Sequence, residues 1–214
     1  MSDSPQSVSP ELYTTFTQSV RDLADATLRT NAGAEAIAAA QAEIEAITAR
    51  LAADQIPGTH GEHCTGPMGV AGWGNTVVGL RNAAAMPLHF TYSDDGNRLW
   101  ADFTPGALYE GPPGHMHGGV IAMLLDQALG EIAVRSGRPG LTANLSINYK
   151  LPTKLNTPLR IEAWYDRTEG VKTWTAGTIT SEQGVCAEAE GLFILPRWVR
   201  DLPPEEAAKL HQHD

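Results

Sequence analysis

Hydrophobic positions change their period twice along this chain. Over residues 10–54 Ala, Glu and Gln dominate, and Ile37, Ile44, Ile47 and Leu51 recur at helical spacing. Asn31 and Gly33 interrupt the run, so two helices are expected. Their acidic face is expected in solvent, with the apolar stripe packed on the main domain or on a partner chain. Residues 56–75 are rich in Gly and Pro and read as loop. From residue 76 the texture becomes that of strands. PLHFTYS (87–93) and RLWADFT (98–104) flank Asp94-Asp95-Gly96-Asn97, which predicts a hairpin. A Gly/Pro loop covers 105–117 and a helix covers 118–136. Alternating segments follow at 142–150, 158–167, 171–180 and 185–195. Turns at Glu169-Gly170 and Gln183-Gly184 join the last three into an antiparallel meander.

The central predicted helix, GGVIAMLLDQALGEIAVRS, is apolar almost all round, with Val120, Ile121, Met123, Leu124, Leu125, Leu129, Ile132 and Ala133. Such a helix is expected to be buried rather than amphipathic. Many strands and one long buried helix predict an α+β chain with the hot-dog arrangement, an antiparallel β-sheet wrapped around a long central helix, here with an N-terminal helical extension. The expected division is a helical extension over 1–56, a hot-dog domain over 57–200 and a tail over 201–214.

Composition narrows the function classes. With 214 residues, 42% of them hydrophobic, the chain can build a real core and is not wholly disordered. No run approaches the roughly 18 consecutive apolar residues of a membrane span. A net charge of −10 argues against nucleic acid and against an anionic membrane surface as partner. Cys64 and Cys186 make neither a disulfide framework nor a C-x-x-C pair, and Asp3 and Glu11 stand where a signal peptide would be basic then apolar. A soluble, cytoplasmic protein is expected. His60, His63 and Cys64 lack a fourth ligand at suitable spacing, so neither metal nor cofactor is expected. Residues 1–55 hold eight acids and three bases, whereas residues 131–200 hold seven acids and nine bases. That asymmetry fits ordinary surface variation or an anionic ligand on the second half, and charge alone leaves both open.

Asp126 is the carboxylate that stands out in the apolar helix. Burying an unpaired charge is costly, so it needs partners, a raised pKa or a function, unless it points to a wet rim or caps another element. Gly118, Ala122, Asp126 and Gly130 fall four residues apart and make one stripe of minimal side chains around the acid. Such a stripe admits a ligand or another backbone; plain helix packing is the alternative. Upstream, GPPGHMHGG (111–119) places a Gly pair at the helix start, where free N–H groups and the helix dipole can hold a developing oxyanion. His117 either orients this loop, touches substrate or makes a local hydrogen bond. Gly118 and Asp126 lie eight residues apart, about 12 Å along a helix. One reacting carbon cannot be close to both, so if they act together, Gly118 of one chain faces Asp126 of another. Two such helices, antiparallel across a two-fold axis, make two composite sites, and a homodimer or homotetramer is expected.

The stretch YEGPPGHMHGGVIAMLLDQALGEIAVRSGRPGLTANLSINYKLP, from Tyr109 to Pro152, resembles the hot-dog acyl-CoA thioesterases. The likeness is to the animal thioesterase superfamily members four and five and, more distantly, to bacterial phenylacetate-pathway thioesterases. It covers roughly residues 75–197, carried by H-G-G-x-I-A-x-x-x-D at 117–126 and T-A-N-L-x-I-N-Y-K at 142–150. It implies that Asp126 is the catalytic carboxylate, that the Gly118 amide polarises the thioester carbonyl with His117 in the same motif, and that Thr142 helps hold the attacking water. Gly119, Ala122 and Asn144 are the implied substrate contacts. Lys150, at the family's Y-K-x-P position, and Lys154 are candidates for the phosphates of coenzyme A, with solvated surface lysines as the alternative. One departure stands out. Phenylacetate-type enzymes carry Asn six residues before the motif His, where this chain has Gly111. The member-four type also lacks that Asn, so the change reads as subfamily rather than lost activity.

A thioester is already activated, so an oxyanion donor and a carboxylate acting on water suffice. Sequence leaves open whether Asp126 is general base or nucleophile. Hot-dog dehydratases and hydratases pair a catalytic His with an acid in a different motif, so H-G-G with a lone Asp126 favours hydrolysis. A non-catalytic acyl-CoA-binding protein on this scaffold is the other class.

Overall fold

The computed structural model describes residues 9–55 and 73–201. The loop bearing His60, His63 and Cys64 and the tail after residue 201 lie outside the described residues. Two helices come first, α1 (Pro10–Arg29) and α2 (Ala34–Ala52). Then follow β1 (Thr91–Tyr92), β2 (Arg98–Phe103), α3 (Gly118–Arg135), β3 (Leu141–Tyr149), β4 (Leu159–Glu169), β5 (Lys172–Ser181), β6 (Gly184–Ile194) and the short α4 (Arg197–Arg200). The strands form one antiparallel sheet in the order β1-β2-β4-β5-β6-β3, with α3 across one face. This is the hot-dog fold in an α+β chain.

Period-two burial explains why the sheet grips α3. Leu99, Ala101 and Phe103 on β2, Leu159, Ile161 and Ala163 on β4, and Ile179 on β5 are buried beneath the helix. They meet Ile121, Leu124, Leu125, Ala128, Leu129, Ile132 and Ala133 of α3. Glycine sets how low the helix lies. A Cβ at Gly177 or at Gly191 would stand 3.2 Å from the Leu129 side chain. The buried Thr175 hydroxyl also donates to the Leu129 carbonyl (3.2 Å).

The meander matches the expected β4-β5-β6 order, its turns closed by Gly170 and Gly184 at positive φ. The Asp94–Asn97 hairpin is present, but only Thr91 and Tyr92 pair along β1 rather than all of 87–93. Pro87 has no N–H to donate, and the Leu88 N–H turns back to the Met86 carbonyl (2.7 Å).

Two expectations need correction. Helix α3 is buried on one broad face only, because a single sheet covers one side of it. Within one chain Gly118, Ala122, Asp126 and Gly130 remain half-exposed. Of the two placements expected for the extension's apolar stripe, the one on the main domain is not seen among the described residues. Helix α1 buries Thr17 and Arg21, with Tyr13 edge-on to Trp73, while Leu12, Phe16, Val20 and Leu23 face outward. The Arg21 guanidinium donates to the carbonyls of Ala85 (2.9 Å) and Asn82 (3.0 Å), which makes a polar stripe the better docking face. Helix α2 buries none of its residues. No helix among the described residues is long and apolar enough to cross a membrane.

Candidate active site

The start of α3 is fixed by the loop before it. Backbone bonds tie the His117 N–H to the Tyr109 carbonyl (2.9 Å) and the Met116 N–H to the Thr153 carbonyl (2.8 Å), so the loop is held from both sides. It folds so tightly that a Cβ at Gly111 would lie 2.6 Å from the His117 Cα. Glycine at 111 is therefore a steric requirement of this loop, and an Asn there would need another backbone path.

His117 is the N-cap of α3. Its Nδ1 accepts the Gly119 N–H at 2.9 Å, which places the ring proton on Nε2 and occupies the Gly119 amide. The Gly118 N–H has no hydrogen-bond partner among the described residues. Of the two glycine amides, the free one at the helix start is Gly118, where the dipole favours negative charge. Tyr149, on β3, donates its hydroxyl to the Gly118 carbonyl at 2.8 Å, and its ring lies against Gly118.

Two turns further along α3, Asp126 is half-buried on the open stripe. The Thr142 hydroxyl, from β3, donates to Asp126 Oδ1 at 3.0 Å. A bulge makes this meeting possible: the β3–β6 register shifts between Thr142, opposite Phe193, and Asn144, opposite Leu192. Thr142 thus shares the α3 side with buried Phe193, while Asn144 stands with Leu192 on the other face of the sheet, apart from Asp126. The remaining carboxylate near α3, Glu131, accepts from the Tyr92 hydroxyl (2.8 Å), whose pKa burial and that carboxylate push up. Asp126 is left as the carboxylate facing the open stripe.

The two lysines differ. Lys150 pairs with Glu188 at 2.8 Å, so its charge is engaged within the sheet. Lys154 lies beside the loop that enters α3, bridged through its backbone to His115, and makes no ion pair among the described residues. Among the described residues no group of three His, Cys, Asp or Glu is arranged to hold a metal. A groove of about 260 Å³ lies at Arg98, Trp100, Arg160, Glu162 and Trp164, and neither Asp126 nor Gly118 lines it.

Sequence reasoning missed Tyr149 as a site neighbour. Counting alternation back from the bulge would have placed it on the α3 side with Leu145 and Ile147.

The chain is similar to known proteins in sequence and fold. The thioesterase superfamily model matches residues 113–188, from the loop before α3 into β6. Acyl-coenzyme A thioesterase THEM4 of Xenopus laevis is 37% identical over 105 residues, covering 48% of this chain and 47% of that protein. The THEM4 of Bos taurus is 36% identical over 118 residues, covering 54% of this chain and 46% of that protein. The chain thus spans about half the length of the curated relatives it matches. A solved crystal structure of a thioesterase superfamily protein aligns with a TM-score of 0.77 at 33% identity, over 89% of this chain and 97% of that one. At that identity and over nearly the whole of both chains, the chain belongs to the thioesterase superfamily.

Proposed function

We propose that this protein hydrolyses fatty acyl-CoA thioesters to the free acid and coenzyme A, working as a homodimer or homotetramer. The observation that carries the reading is the Asp126–Thr142 pair (3.0 Å) on the open stripe of a helix that begins with the unpartnered Gly118 N–H. Two curated relatives named acyl-coenzyme A thioesterases support the substrate class. Val120 and Met123, partly buried beside the stripe, supply an apolar wall suited to an acyl chain.

The dimer follows from length. Gly118 and Asp126 begin and centre the same straight helix, about 12 Å apart. A thioester carbon near one is out of reach of the other, so a complete site takes Gly118 from a facing subunit. Two features of the chain are suited to that contact: the half-exposed stripe of α3, and β3, an edge strand with Leu141 63% and Tyr149 54% exposed.

In the composite site, the Asp126 carboxylate accepts a proton from water as the water oxygen bonds to the thioester carbonyl carbon. The Gly118 N–H of the facing subunit stabilises the oxyanion. Collapse breaks the C–S bond, and coenzyme A leaves as thiolate and takes up the proton. In the direct route the Asp126 carboxylate bonds to the thioester carbon, and the C–S bond breaks as coenzyme A leaves as thiolate. Water then cleaves the mixed anhydride to the free acid and the regenerated carboxylate, its second proton going to the thiolate. Thr142 holds the carboxylate in either route. His117 keeps the Gly119 amide occupied and the loop in place. Lys154, without an acidic partner among the described residues, suits a coenzyme A phosphate better than Lys150. Cys186, buried and free, fits a reducing cytoplasmic setting.

Thiol release from acyl-CoA esters of graded chain length tests the proposal. Wild type is expected to turn over, and Asp126→Asn to lose about a hundredfold or more. Turnover untouched by that change removes Asp126 from the chemistry. Binding without turnover, by folded and oligomeric wild type, puts a non-catalytic acyl-CoA-binding protein in its place.

A further inference from the structure

Helix α2 is a regular 19-residue helix that buries none of its residues against the rest of the described chain. Its apolar positions nevertheless make a single stripe: Ile37, Ala40, Ile44, Ile47 and Leu51 are separated by three, four, three and four residues. That is the seam of a two-helix coiled coil, with Ile37, Ile44 and Leu51 at a and Ala40 and Ile47 at d. Ile37 is 50%, Ile44 37%, Ile47 43% and Leu51 53% exposed, so the seam faces solvent along its whole length. A soluble chain rarely leaves such a stripe uncovered.

The seam also indicates what covers it. Laid antiparallel on a copy of itself about a two-fold axis at Glu45 and Ala46, Ile44 meets Ile47 of the copy and small Ala40 meets large Leu51. The inner layers then pair Ile with Ile and the outer ones pair Ala with Leu, so no layer sets two small side chains together, while Ile37 lies opposite position 54 of the copy, beyond the end of α2. The flanking g positions, Glu43 and Arg50, face each other with opposite charge on both sides of the axis. Neither forms an ion pair among the described residues. A parallel alignment sets Ala40 against Ala40, leaving a gap, and puts Glu43 beside Thr48, where no charge is answered. The Glu43–Arg50 charge pairing selects the antiparallel copy. Helix α1, anchored through buried Arg21, holds the base of this arm on the domain.

We propose that α2 pairs antiparallel with α2 of a second copy of this chain, forming a self-association contact separate from the acyl-CoA site. A two-fold contact of this kind adds to the one drawn at α3, and it does not depend on the chemistry assigned to Asp126.

Sedimentation of the full-length chain over a dilution series tests it. I44D/I47D puts four carboxylates into the seam of each pair while touching no side chain buried within the chain. It is expected to raise the dissociation constant of the α2 contact about a hundredfold or more, seen as a lower mass at the same concentration. E43R and R50E are each expected to weaken association, and E43R/R50E to restore it. A wild type that is monomeric throughout, or an I44D/I47D variant with the wild-type mass at every dilution, overturns the proposal. That second result would leave the seam to another segment of the same chain. Failure of the double reversal to restore association overturns the antiparallel register. Mass is read without turnover, so an inactive protein with α2-dependent assembly refutes the thioesterase reading and leaves this one standing.

Discussion

Thr142→Val is the sharpest probe of the acid site, because valine keeps the branched shape and removes only the hydroxyl. In the native chain that hydroxyl donates to Asp126 Oδ1 at 3.0 Å, joining β3 to α3 across the place where reaction is proposed. A hydrogen bond to a charged group contributes about 1.5–3 kcal/mol when shielded from water. Asp126 is half-buried and Thr142 exposed in one chain, so the lower end applies, about 1.5 kcal/mol. That converts to roughly a tenfold loss in kcat, and closure of the site against a facing subunit moves it upward. Thr142→Ser keeps the donor and is expected to stay within about threefold of wild type. Neither change empties the core, so Tm should hold for serine and fall by only a few °C for valine, which loses the bond. The assay is steady-state thiol release from a turned-over acyl-CoA, with kcat and KM separated for both variants. A valine variant at full kcat refutes the role given to the hydroxyl. A serine variant as slow as the valine one shows that shape, not hydrogen bonding, matters at this position.

Two further changes test how the scaffold is held. Arg21→Met leaves the carbonyl of fully buried Ala85 without its donor (2.9 Å) and costs about 2–3 kcal/mol. Hydrogen exchange in α1 is expected to speed up by about thirtyfold or more while β4–β6 stay protected, and unchanged α1 protection would mean the helix is held by something else. Gly177→Ala forces a Cβ to 2.6 Å from the Glu162 carbonyl oxygen and 3.2 Å from Leu129. The strand or helix must move, at about 2 kcal/mol or more, lowering Tm by about 5 °C in a chain of this size; an unchanged melting curve would show that β4 and β5 separate freely here.

What the sequence made legible, and what it hid, follows from the range of each signal. Strands β4 to β6 were readable because alternation and turn glycines are local, and the Gly170 and Gly184 turns need only neighbouring residues. Helix α3 was readable in extent, but which side stays open depends on how many strands cover it. The β3 bulge at Ala143 breaks the period-two rule by one residue, so Asn144, which strict alternation puts beside Thr142, turns to the opposite face. The docking of α1 was hidden for a different reason. Arg21 meets two backbone carbonyls at positions 82 and 85, a pairing no local pattern encodes. Asp126 was visible because a carboxylate among leucines is conspicuous, whereas Tyr149 reads like any edge-strand aromatic.

The His-Gly-Gly sequence at the start of α3 answers three separate constraints, and only one of them concerns chemistry. Position 119 must let the His117 ring fold over its own N–H: a Cβ there would stand 3.1 Å from Nδ1, closer than a relaxed contact. Position 118 lies under the Tyr149 ring, with 3.5 Å between the phenolic oxygen and the place a Cβ would occupy, so its side of the helix has room for a methyl group in ordinary contact and the ring limits anything longer. His117, by taking the Gly119 amide, leaves the Gly118 N–H as the glycine amide free of a partner among the described residues, the one proposed to meet an oxyanion. Had the cap been a residue without an acceptor, two amides would compete for the same charge and the carbonyl would be free to settle between them. Capping therefore does more than stabilise the helix end: it selects which amide remains and, in the proposed composite site, where a thioester oxygen would sit relative to the Asp126 of a facing chain.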